Sequence, residues 1–525
     1  MSLATASACD EGAILSAAAE APCSVPARPW ILATTILASS MVFIDGTVVN
    51  VALPALQREF GATAAQAQWI VESYALFLAS LLLVGGSAGD RFGRRRIFTL
   101  GVALFAAASA WCAMAGSIEQ LLIARAVQGV GGALLVPGSL ALISASFPQD
   151  VRGKAIGTWS GWTAITAALG PVIGGFLIEH WSWRYAFLLN IPLAAIVLLL
   201  AFRFIPESGN TRAAARPDWA GAALASTGLG ALVFGLIESS SSGWSNWRVT
   251  GALLFAAITL AGFVLVERRH PAPMLPLRLF RSRDFSGANL LTLLLYAALG
   301  GSLYFLPLNL IQVQGYSATA AGAALLPLIL IMFVFSRWAG GLIDRYGARR
   351  PLVIGPAIAA LGFLLLAVPG VGGSYWTMFF PGLLVLGFGM AVSVAPLTTT
   401  VMNAFDTSLA GVASGINNAV SRVAALLAIA VFGIVMSMAF RHTLAKAAAD
   451  MKVAPSVMRQ VMSQQDRLAA IEIPPQASDS EKEAIRTAVA KSFVHGFRWV
   501  MLLSALLALA SSLSAWWLIG RGTGK

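Results

Sequence analysis

Of the chain's 525 residues, 58% are hydrophobic and only 11% charged, and the mean hydropathy is +0.78. Soluble globular chains carry roughly 25% charged residues, so the composition excludes one and points to a polytopic membrane protein. The net charge of +12 does not call for a nucleic-acid partner, because basic loops held on one side of a bilayer account for it.

Residues 1–29 carry Asp10, Glu11 and Glu20 without a long apolar core, and are expected to be a flexible cytoplasmic tail rather than a secretory signal. Cys9, Cys23 and Cys112 lie far apart and suggest neither a disulfide framework nor a metal site. From Trp30 onward, apolar windows predict fourteen spans, at 30–53, 67–86, 97–115, 121–142, 155–178, 185–204, 219–237, 249–266, 287–310, 319–341, 351–369, 376–397, 410–437 and 494–519. Basic clusters such as Arg94, Arg95 and Arg96, or Arg278, Arg281 and Arg283, fall in alternate loops. The short loops on the other side hold only Arg58, Arg184 and Arg248. This bias puts both termini in the cytoplasm and the long polar segment 440–493, broken at Pro474–Pro475, outside.

GSAGDRFGRRR (86–96) recurs as GLIDRYGARR (341–350), each after the second span of a six-span set. The expected fold is therefore an all-α membrane protein of fourteen transmembrane helices, two six-helix halves with two extra central helices. Its parts are the tail 1–29, a bundle at 30–205, a linker with the extra helices at 206–283, a second bundle at 284–519 and a tail at 520–525. Repeat-built transporters place their substrate site between the halves near the midplane.

Three ionisable residues interrupt apolar sequence: Asp45 in IDGTVVNVALP (44–54), Glu72 in WIVESYALFLASLLLVGG (69–86) and Arg125 in LLIARAVQGVGGALLVPG (121–138). Charge at bilayer depth is costly and usually paired or useful. At 1.5 Å per residue Asp45 lies about 22 Å along the first span, in the outer half. Glu72 and Arg125 enter from the outside and lie shallow, so the three share a layer. Making and breaking a carboxylate–guanidinium pair would bind and release a proton; a permanent ion pair that locks helices together is the alternative. Glu72 can also simply reach the outer water.

Taken in order, these segments resemble the major facilitator superfamily, and within it the fourteen-span drug–proton antiporter family. IDGTVVNVALP resembles that family's first-helix motif, GSAGDRFGRRR its loop 2–3 motif, LLIARAVQGVGGA (121–133) its helix 4 motif, TAALGPVIGG (166–175) its helix 5 antiporter motif and WSWRYAFLLNIP (181–192) a segment typical of fourteen-span members. The resemblance implies proton coupling at Asp45 and Arg125 with Glu72 beside them. It also implies an inter-half latch at Asp90, Arg91, Gly93 and Arg94 with Asp344 and Arg345, and a seal on one route at Gly170, Pro171, Gly174 and Gly175. Basic residues also hold the first loop inside, and the glycines also read as ordinary close helix packing. Asp90 is expected to face the N-terminus of the following helix, where a carboxylate is favoured. Thr166 stands where the antiporter motif usually has Gly.

Trp162, Phe187, Tyr296, Tyr304 and Phe305 are weaker candidates for a cavity that takes flat apolar cations. Gln128, Asn417 and Arg422 are weaker substrate-site candidates, with Arg422 contacting an anionic group or pairing with a helix end. GGSAG (85–89) matches a hydrolase elbow by chance, since it ends an apolar span without a histidine partner. No ATP-binding loop or metal motif appears. The chain is therefore expected to be no enzyme and to need no cofactor, drawing on a proton gradient in a bacterial inner membrane. The expected function is proton-coupled efflux of small amphipathic or cationic compounds such as drugs; the alternative is export of one endogenous metabolite. Expected partners are the small-molecule substrate, protons and lipid. A periplasmic adaptor is a further candidate on which the sequence is silent.

Overall fold

A computed structural model describes residues 27–208, 218–270, 273–405 and 407–520. Of the predicted tails at 1–29 and 520–525, residues 1–26 and 521–525 lie outside the described residues, and Arg28 already opens the first helix. Among the described residues, fourteen helices are long and apolar enough to cross a membrane. The first half comprises α1 (Arg28–Phe60), α2 (Ala64–Phe92), α3 (Arg94–Met114), α4 (Ile118–Ser146), α5 (Lys154–His180) and α6 (Arg184–Phe204). Next come α7 (Trp219–Ser242) and α8 (Trp247–Arg269). The second half comprises α9 (Arg283–Val313), α10 (Ala318–Gly340), α11 (Arg349–Ala367), α12 (Phe380–Asn403), α13 (Val412–Asp450) and α14 (Asp479–Leu518). Below, the inner end is the end at which α1 begins.

Local chemistry sets the boundaries. The α1–α2 turn closes on Gly61, whose φ of +60° suits glycine, and Thr63 and Gln66 then form a reciprocal capping box that opens α2. Ser117, Asp218, Asn246, Ser282 and Ser317 cap α4, α7, α8, α9 and α10 more simply, each side chain accepting from one amide of the first turn. Within the halves, glycine brings backbones together: a Cβ on Gly131 of α4 would lie 2.6 Å from the Phe105 nitrogen of α3.

The halves are pressed together at the outer end. Gly175 of α5 lies against the backbone of Ala318 on α10, and Gly322 against that of Pro171. Gln312 donates to Gln57 (2.8 Å), and the Thr319 amide donates to Glu179 (3.2 Å). Most contact between α5 and α10 falls on residues 318–323 and thins beyond Leu326. On the inner part of α5, Trp162 is 53% exposed. The two halves thus meet at the outer end through α1, α5, α9 and α10.

The predicted external loop 440–493 is largely helical. α13 continues to Asp450, and α14 begins at Asp479 behind a second capping box made by Ser478 and Glu481. Between them the helix Pro455–Met462 buries Val457 and Val461, and Leu468 is buried beyond it. Arg441 pairs with Asp466 (2.6 Å), and Arg467 reaches over Gly61 of the first half. This segment forms a cap that spans both halves.

Candidate functional site

Asp45 and Arg125 are both fully buried and form an ion pair, Arg125 Nη1 to Asp45 Oδ2 at 2.5 Å. A buried charge is tolerable when every donor and acceptor around it is used. Arg125 Nη1 also donates to Gln128 Oε1 (2.7 Å), and its Nε donates to the Ile70 carbonyl (3.0 Å). Its guanidinium lies over the Tyr74 ring at 4.3 Å and near the Phe187 ring at 5.7 Å. The other oxygen of Asp45 accepts from Gln128 Nε2 (2.8 Å) and Asn190 Nδ2 (3.3 Å). Ser109 accepts from both of those amides, at 2.7 and 3.1 Å. Tyr74 donates its hydroxyl to the Val42 carbonyl (3.3 Å). All of this comes from α1, α2, α3, α4 and α6, within the first half.

The sequence reading missed Ser109 and Asn190, and it put Gln128 in a substrate cavity. Gln128 is instead a fully buried hub of the ion-pair network. The available signal was polar side chains inside apolar spans; Asn190 even stands within the WSWRYAFLLNIP segment.

Glu72 does not join the network. Ile70 and Tyr74 turn one side of α2 toward Arg125, and Glu72, two residues from each, points round the helix. Its neighbours on that stripe are Gln68, which donates to the Ile429 carbonyl of α13 (3.2 Å), and Leu76, which packs with Leu426 and Ala430. The Glu72 carboxylate is fully buried with no hydrogen-bond partner among the described residues. Glu72 shares the depth of Arg125, between Ile70 and Tyr74, but not its direction, and full burial keeps it from reaching outer water.

The α5 glycines lie beside the network. Gly170 packs on Thr47 and Ile44, and Gly174 on Val48, the α1 turn that carries Asp45, while Gly175 faces α10. Pro171 sits within the helix. Thr166 does not hold α5 away, since its hydroxyl donates to Ser40 of α1 (3.0 Å).

The first loop motif is held by its own half. Asp90 lies at the start of α3 but pairs there with the side chain of its first residue, Arg94 (2.7 Å), rather than with the helix amides. Glu207 takes that place, accepting from the amides of Arg95 (3.1 Å) and Arg96 (3.2 Å) at the α3 N-terminus. Gly93, at φ +106°, passes beneath that carboxylate, where a Cβ would lie 2.6 Å from it. Arg91 lies near the Phe92 ring, and in the second copy Asp344 and Arg345 are exposed.

The proposed cavity residues scatter. Trp162 is exposed, whereas Tyr304, Phe305 and Phe187 are buried in packing and Tyr296 is partly buried. Asn417 donates to Asn289 (3.2 Å) and Thr292 (2.7 Å), tying α13 to α9. Arg422 is partly buried on α13, within electrostatic reach of Tyr74.

Residues 35–429 match the Major Facilitator Superfamily model. The tetracenomycin C resistance and export protein of Streptomyces glaucescens is 36% identical over 416 residues, covering 78% of this chain and 76% of the relative. The multidrug resistance protein Stp of Mycobacterium tuberculosis is 37% identical over 407 residues, covering 77% and 75%. Among solved structures, an inward-facing, unoccupied bacterial homologue of the human lysosomal transporter Spinster aligns with a TM-score of 0.63 at 18% identity, covering 94% of this chain and 98% of that one. A D-xylose–proton symporter aligns at 0.60 and 16%, covering 94% and 99%. The structural likenesses concern the fold, and the family and its neighbours are transporters rather than enzymes. From the family model and these relatives together, the chain is a multi-pass membrane protein that belongs to the Major Facilitator Superfamily.

Proposed function

We propose that the protein is a proton-driven exporter of small amphipathic or cationic compounds that works by alternating access in the cytoplasmic membrane, with both termini inside. The carrying observation is the Asp45–Arg125 pair, fully buried within the first half. Removing one partner of a buried pair costs about 3–5 kcal/mol when nothing replaces it. Here Arg125 keeps the Gln128 and Ile70 oxygens and the Tyr74 ring whether or not Asp45 carries charge. The guanidinium therefore stays held when the pair opens, which a purely structural pair would not need.

In the cycle, Asp45 accepts a proton from the outer, more acidic side and loosens from Arg125. The halves rock so that the cavity faces inward, substrate enters, and the proton leaves to the cytoplasm. The re-formed pair then favours reopening outward. The proton gradient is the energy source, and no cofactor is needed. Glu72 belongs to a different surface and is left out of this step.

A second reading is export of one metabolite made by the cell. It is favoured by relatives named for single products, such as the tetracenomycin C export protein and the probable actinorhodin transporter of Streptomyces coelicolor.

The test is substrate-induced proton flux in proteoliposomes, for the native chain beside Asp45→Asn and Arg125→Ala. Flux lost in both variants, with normal insertion, supports the coupling assignment. Full flux in Asp45→Asn refutes it.

A further inference from the structure

α7 and α8 stand outside the two sets of six. α7 packs on α2 of the first half and on α13 of the second, so it covers the seam between them. α8 packs on α7 and presents Leu254, Phe255 and Ile258 outward. In the outer part of this seam the packing is solid, with Leu76, Val233, Ile237, Leu426 and Ala430 in one buried cluster. Further in, the seam is hollow: a cavity of 460 Å³ lies among α2, α7, α8, α9 and α13. Small side chains open it, namely Ala79 and Ser80 on α2, Ala225 on α7 and Ala419 on α13, while Phe263 of α8 stands on the side away from the seam.

No ionisable side chain lines this space. Its polar residues are Ser80, Ser286 and Asn289, and each is already engaged. The Ser80 hydroxyl donates to the Leu76 carbonyl (2.7 Å) and that of Ser286 to the Phe280 carbonyl (2.5 Å). The Asn289 amide donates to the Phe285 carbonyl (2.9 Å), and its oxygen accepts from Asn417 (3.2 Å). The rest of the lining is hydrocarbon, so the space offers water few partners. A cation would lose its hydration and gain no counter-charge.

We propose that this cavity binds the uncharged, apolar body of a small molecule, at a site separate from the Asp45–Arg125 network. Its volume falls in the range of about 300–1,000 Å³ that holds drug-sized ligands. A lipid acyl chain offers the same hydrocarbon surface. The small molecule is favoured because residues of five helices and of the 274–280 segment wall a compact space, rather than one helix face forming a long groove of acyl-chain shape. The ligand's part in transport rests on the exporter reading; binding itself does not.

The test uses purified full-length protein in nanodiscs and a neutral aromatic probe, N-phenyl-1-naphthylamine, with the permanently charged ethidium beside it. Ala419→Trp fills the cavity, and Ala225→Leu fills it more gently where the tryptophan unfolds the protein. Saturable naphthylamine binding is expected in the native chain, weakened about tenfold or more, roughly 1.4 kcal/mol, in the filled variants that keep a native melting temperature. Ethidium binding is expected to stay unchanged in those variants. Asp45→Asn is expected to bind naphthylamine normally, so a failed coupling assignment and a failed pocket give different results. Equal naphthylamine binding in the native and filled proteins would overturn the proposal. So would native mass spectrometry that finds a phospholipid held by the native chain, lost on filling and not displaced by the probe.

Discussion

Gly174 of α5 lies directly against Val48 of α1, three residues beyond Asp45, with no room for a Cβ between them. The antiporter glycine thus bears on the coupling residue's own helix turn. Gly174→Ala forces α1 and α5 apart or bends Val48 out of place, at a cost of about 1–3 kcal/mol. A lowered melting temperature and slower export are expected, and Val48→Ala added to Gly174→Ala should restore much of both. Failure of the double variant to recover would mean that the glycine serves something other than this contact.

Gln128 is the one side chain that both accepts from Arg125 and donates to Asp45. Gln128→Leu keeps the bulk and removes both bonds, leaving each buried charge a partner short. The expected loss is about 1–3 kcal/mol, seen in thermal unfolding, together with impaired proton flux. Asn190→Leu removes the longer 3.3 Å bond to Asp45 and a 3.1 Å bond to Ser109 but none to Arg125, and should cost less. Equal effects of the two would contradict the hub role.

The carboxylate of Glu207 holds the start of α3 and caps the turn at Gly93. Glu207→Gln keeps an acceptor but loses the charge assistance, whereas Glu207→Ala loses both. Transport and protection of residues 90–96 from protease should fall in the order native, Gln, Ala. If the alanine variant matches the native chain, the loop is held by Asp90 and Arg94 alone.

Gln57 and Gln312 join the halves at the outer end. Cysteines at both positions, in a chain with Cys9 and Cys23 replaced by serine, should be bridged by a short bifunctional thiol reagent. Bridging should arrest export, and a cleavable reagent should restore it on reduction. Continued export by the bridged protein would show that this contact need not open.

Much of the architecture was legible because burial in lipid demands long apolar helices and satisfied backbones. The fourteen spans, the doubled loop motif and the charges at Asp45 and Arg125 all follow from local sequence. What escaped was rotation and partnership. The rise along a helix placed Glu72 beside Arg125, yet a displacement of two residues turns it toward α13. Ser109 and Asn190 are ordinary polar residues until α3 and α6 bring them to the same carboxylate. Glu207 was invisible for the same reason: more than a hundred residues separate it from the amides it receives.

The network also has an order in time. Its last member, Asn190, leaves the ribosome before any helix of the second half has been made. Every side chain that holds the two charges comes from the first half, so closing the polar centre waits on no later helix. The second half then meets a partner whose costliest groups are already satisfied among themselves.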